Sequence, residues 1–103
     1  MIIEEILEQI GYIEYIGESK KSILGPASIN EIDDDCITWC SDKKHQILEH
    51  LNTKSIVIIS KKLYAEILNL NTNLNLLVVE NPRYTFKEIL VIFQQKQKPE
   101  ISN

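Results

Sequence analysis

The sequence predicts a small α/β domain: a short N-terminal β region, then a mixed or parallel central sheet flanked by helices. Three observations carry this expectation. The runs 56–59 and 76–79 are apolar without alternation, the pattern of strands covered on both faces. Segments with helical spacing of apolar residues precede, separate and follow them. A chain of 103 residues with 44% hydrophobic content supports one modest core and leaves no room for a second folded domain.

Ile2, Ile3, Ile6, Leu7 and Ile10 recur at helical spacing opposite Glu4, Glu5, Glu8 and Gln9, which predicts an amphipathic helix stopped at Gly11. Residues 12–16 read as a short strand broken by Gly17, and Ile23 with Leu24 as a second one, before Gly25 and Pro26. Residues 28–35 are expected to make a turn or one helical turn, 36–39 a strand, and 43–51 a short helix with Ile47, Leu48 and Leu51 on one side. A buried strand follows over 55–60, a helix over 62–70 and a second buried strand over 76–79, with an Asn-rich loop at 69–75. Asn81 is placed to cap a helix whose first residue is Pro82 and whose stripe is Phe86, Ile89, Leu90 and Phe93. Beyond Phe93 the chain is polar and carries Pro99, so the domain is expected to span 1–93 and a linker 94–103.

Charge and composition exclude several function classes. Eleven basic against fifteen acidic residues give a net charge of −4, which argues against a surface built to neutralise a phosphate backbone. No apolar run reaches the roughly 20 residues of a membrane-spanning helix, and the acidic N-terminus does not resemble a leader, so the expected compartment is the cytosol. Cys36 and Cys40 would be ~13 Å apart along a strand, too far to pair. They are expected to be reduced thiols.

No glycine-rich phosphate loop is present, because Gly11, Gly17 and Gly25 are isolated from any buried strand leading into a helix. Neither Ser41, Ser60 nor the cysteines show an arrangement with His and acid that predicts a nucleophile. The spacer between the cysteines and His45 is too short for a zinc finger, and the run Asp33, Asp34, Asp35 reads as a solvated turn. His45 and His50, five apart, lie about 140° around a helix axis and form no two-histidine ligand face. No metal, cofactor or catalytic residue is therefore expected. Trp39 is the single tryptophan. It is either a packing residue or a surface for stacking a flat ring, with the turn 40–42 and the helix start at His45 closing a pocket.

Three segments stand out together: Ala27-Ser28-Ile29-Asn30-Glu31-Ile32, then Cys36-Ile37-Thr38-Trp39 with Lys43-Lys44-His45, then Leu77-Val78-Val79-Glu80-Asn81-Pro82. The first is similar to a small-Ser-Leu-x-x-Ala segment, the second to an Asp-Ile-Ser-Phe strand with an Asn-Pro-Lys-Tyr helix start, and the third to a Val-x-Asn-Pro entry to an apolar helix. In this order and spacing, over about two-thirds of the chain from Ala27 to Phe93, they resemble the N-terminal domain of the UDP-3-O-acylglucosamine N-acyltransferases of lipid A synthesis, the LpxD family, whose uridine-binding domain has a MurF-like fold.

The resemblance implies a domain that recognises the nucleotide of a UDP-sugar for an acyltransferase of surface-glycan biosynthesis, not catalytic by itself. It implies a further hexapeptide-repeat β-helix domain beyond the linker, which forms a homotrimer and meets the acyl donor on acyl carrier protein or coenzyme A. It also implies a uracil pocket, which by position becomes Trp39, Asp42 and His45. Trp39 keeps the stacking surface. Asp42 and His45 stand where the family has Asn and Tyr, and they change the hydrogen bonding on offer. The alternative expectation is a structural or protein-interaction module in which Trp39 is packed and no ligand is bound.

Overall fold

The computed structural model describes residues 1–49, 51, 54–67 and 74–97, with His45, Lys96 and Gln97 described by backbone alone. Strands β1 (Glu14–Ile16), β2 (Gly25–Pro26), β3 (Cys36–Trp39), β4 (Ile56–Ser60) and β5 (Asn75–Val79) form one sheet in the order β1-β5-β4-β3-β2. The strands β2 to β5 run parallel, and β1 closes one edge antiparallel to β5. The expected α/β architecture with a mixed sheet is the one observed.

Helices cover both faces. On one face α1 (Ile3–Leu7) and α3 (Pro82–Gln97) bury Ile3, Ile6, Ile89, Ile92 and Phe93 against Ile37, Ile56, Ile58, Leu77 and Val79. On the other, the 3-10 helix η2 (Asp42–Glu49) and α2 (Lys61–Glu66) bury Leu48 and Leu63 against Val57, Ile59, Leu76 and Val78. Alternate residues of β4 and β5 thus enter two separate cores, and both sets must be apolar. This double burial is why neither run alternates.

Local boundaries differ from the sequence expectation in several places, among them the helix expected over 62–70, which runs Lys61–Glu66. The second strand is not Ile23–Leu24 but Gly25–Pro26, because Lys21 and Ile23 pair elsewhere: Ile23 N donates to Met1 O at 2.7 Å and Ile3 N to Lys21 O at 2.8 Å, while Leu24 N, on Asp35 O at 2.7 Å, only leads into the pairing with β3. Ile23 is thereby buried, while Leu24 is exposed. Pro26, which offers no N–H, is tolerated on an edge strand. The first helix stops at Leu7, where the chain tightens into a turn with Gln9 N on Ile6 O, although Ile10 still packs in the core. The first strand is confined to Glu14–Ile16. The helix expected over 43–51 is a 3-10 helix over Asp42–Glu49 with a kink at Lys44, whose N donates to Ser41 O.

Two caps form as the residue types dictate. Asn81 Oδ1 accepts from Tyr84 N at 3.2 Å at the head of α3. Ser60 Oγ accepts from Leu63 N at 3.0 Å at the head of α2. Phe93 is buried, Gln94 and Gln95 are exposed, and α3 continues to Gln97. His50, residues 68–73 of the expected helix end and Asn-rich loop, and the tail 98–103 lie outside the described residues. Among the described residues no helix is long and apolar enough to cross a membrane.

Candidate functional site

In a parallel sheet the carboxyl ends of the strands open toward connecting loops, and ligands of such folds commonly lie there. The ends of β2 and β3 do this here. Gly25 pairs with Cys36 and Pro26 with Ile37, and Ala27 N continues the ladder onto Ile37 O at 2.9 Å. The two chains then part, Ala27 toward the 3-10 turn η1 (Ile29–Glu31) and Trp39 toward Ser41 and η2. Between them and α3 lies a cleft of about 710 Å³.

Trp39, Phe86 and Leu90 supply its aromatic and aliphatic surface. Strand alternation puts Trp39 on the same face as Ile37, where it is half-buried and packs against the core beneath α1 and α3. Phe86 and Leu90, one helical turn apart on α3, are presented to the same space. Ser28, Asn30, Thr38 and Ser41 line it with hydrogen-bonding groups, and among the described residues Lys44 is the charged one of the lining. Such a mainly apolar cleft with a few polar groups and one cation suits a flat ring bearing an anionic substituent.

Cys40 also borders the cleft, with 1% of its surface exposed. Burial, and secondarily the negative charge of Asp42, push its thiol from 9.0 up to about 11, while Lys44 opposes the shift. The single S–H of the protonated sulfur has two acceptors in reach, the carbonyls of Ser41, at 3.4 Å, and Lys44, at 3.5 Å. It is a packed hydrogen-bond donor that ties the turn to the strand end, not a nucleophile poised as thiolate.

The three residues singled out from the sequence fare differently. Trp39 lines the cleft. Asp42, at the first residue of η2, is outside its lining, and its Oδ1 accepts from Ser60 Oγ at 2.7 Å. A hydrogen-bond chain Leu63 N to Ser60 Oγ to Asp42 therefore links η2 to the cap of α2. His45 lies in η2 by its backbone, and its side chain is outside the described residues. Sequence reasoning missed Lys44 and treated Phe86 and Leu90 as core stripe only. Their spacing along α3 gave no sign that one edge of the stripe borders the cleft beside the edge strand β2.

Cys36 and Cys40 are both free. Among the described residues no group of three His, Cys, Asp or Glu side chains is arranged to hold a metal ion. No family model matches the chain, and no curated protein matches its sequence.

Proposed function

We propose that this domain recognises the nucleotide part of a UDP-sugar, with the base stacked on Trp39, as the substrate-recognition domain of an acyltransferase similar to the UDP-3-O-acylglucosamine N-acyltransferases. The observation that carries this reading is the half-buried indole on the wall of an open cleft at the carboxyl ends of parallel strands. Stacking a base on such a surface contributes roughly 1–3 kcal/mol and requires no net positive charge on the protein. Lys44 supplies a local cation for the phosphate, and Ser28, Asn30 and Ser41 supply groups for the base edge or ribose.

The positional resemblance would put Asp42 and His45 beside the uracil; Asp42 lies outside the lining of the Trp39 cleft, so in this reading the base edge is met by Ser28, Asn30 and Ser41, and His45 stacks or donates from the helix start. Transfer of the acyl group, trimerisation and contact with acyl carrier protein or coenzyme A belong to a further domain in this proposal. Calorimetric titration with UMP and UDP-N-acetylglucosamine tests the reading. Saturable heat with both, absent with AMP and lost in Trp39→Ala, is expected; no heat with either uridine ligand at millimolar concentration overturns it.

A second reading, a module that binds no ligand, is favoured by the packing of Trp39 against the core of the α1 and α3 face. Under that reading Trp39→Ala lowers stability and nothing else. Under the first, Trp39→Phe keeps most of the stability and weakens nucleotide binding while retaining its preference for uridine.

A further inference from the structure

A second depressed surface lies on the opposite side of the N-terminal half of α3 and has the reverse charge. Between the start of β1 and α3, Tyr12, Ile13 and Tyr84 form an exposed apolar patch rimmed by Glu80 and Glu88. Tyr12 also walls a shallower depression on α1 with Leu7, Glu4 and Glu8. Tyr12 borders both depressions, so Glu4 and Glu8 are gathered next to it in one and Tyr84, Glu80 and Glu88 in the other, and the two make one strip through this residue. Among the described residues no lysine or arginine lines either part. None of the four carboxylates is paired with a cationic side chain among the described residues.

Tyr12 is 45% and Tyr84 61% exposed, although neither carries a charge that would hold it in water. Guanidinium groups stack on tyrosine faces and pair with carboxylates in two-pronged geometry, and an elongated strip offers room for more than one. We propose that this strip docks an extended, arginine-bearing segment of a partner protein. The inference is independent of the Trp39 cleft and holds whether or not that cleft binds a nucleotide.

The test is a nuclear magnetic resonance titration of the ¹⁵N-labelled chain with the peptide Ac-Gly-Arg-Gly-Arg-Gly-NH₂, against the same peptide with citrulline in place of arginine. Saturable shifts at Tyr12, Ile13, Tyr84 and Glu88 with the arginine peptide alone are expected. In the double variant Glu80→Gln/Glu88→Gln the dissociation constant should rise about tenfold. The variant Asp33→Asn/Asp34→Asn, with the same change in net charge, should bind as the parent does. Tyr84→Ala, which removes an exposed ring, provides a variant whose folding is not at stake, and it should weaken binding comparably. Equal response to the citrulline peptide, shifts centred elsewhere, or equal weakening in both double variants overturns the proposal. So does a dimer of this chain, seen by sedimentation, that already covers Tyr84.

Discussion

Gly17 and Asn75 fix how the antiparallel edge strand meets the parallel sheet. Asn75 Oδ1 accepts from Glu18 N and its Nδ2 donates to Lys54 O, each at 2.8 Å, so one buried amide ties the end of β1 to the entry of β4. Gly17 has φ +153°, and a Cβ there would overlap Asn75 Oδ1. Gly17→Ala should therefore cost about 2 kcal/mol, read from the urea midpoint. Combined with Asn75→Ala, the added cost of Gly17→Ala should shrink, because the obstructing amide is gone. The buried thiol of Cys40 gives a pH prediction. Folding holds it protonated, so as pH rises the unfolded chain releases this proton first. Its contribution to stability is complete below the ordinary value of 9.0 and is lost as pH rises to about 11. Tyr15, raised from 10.0 to about 12 by burial and by the charge of Glu18, adds a loss of the same sign at higher pH. Denaturation midpoints of Cys40→Ala measured across this range should show a shallower fall between pH 9 and 11 than those of the parent.

At the scale of elements, the Ser60 hydroxyl links η2 and α2, whose Leu48 and Leu63 share one core. Ser60 Oγ caps α2 through Leu63 N and donates to Asp42 at the head of η2. Ser60→Ala should cost about 1 kcal/mol by loss of the cap. Asp42→Asn should cost less, since an amide oxygen still accepts from the hydroxyl. Equal losses in urea titrations of the two variants would mean that the link to η2, and not the cap, dominates. The strands β3, β4 and β5 and the helix α3 were legible in the sequence, because doubly buried strands leave unbroken apolar runs and Asn81-Pro82 is a strong helix start. The strand β2 was not. Two residues of edge strand leave no periodic signal, and Ile23, the apolar residue that suggested a strand, is buried through pairing with the lead into α1. Nor did the sequence carry the 3-10 character of η2, since its pattern fixes which side of a helix is apolar but not how tightly the turns are wound.

For the whole molecule, chain order and strand order together place the cleft. The crossovers through η2 and α2 cover one face and α3 returns across the other, so the edge beside β2 is left open at the carboxyl end of β3, next to Trp39. Trp39 was recognisable from the sequence as a stacking candidate by its type and its place at a strand end. Lys44, Phe86 and Leu90 join it only through the fold, across more than 40 residues of chain in the case of α3. Within this arrangement Lys44 is the group that should separate nucleotide from nucleoside. Lys44→Ala should weaken UMP binding several-fold and leave uridine binding nearly unchanged, as read by competition. The central claim, that Trp39 is a base-stacking surface, is tested most directly by its own fluorescence, which is free of other indoles in this chain. Titration with UMP, UDP and UDP-N-acetylglucosamine should quench Trp39 saturably while AMP does not. Emission unchanged by every uridine ligand would contradict the account and leave Trp39 as a packing residue.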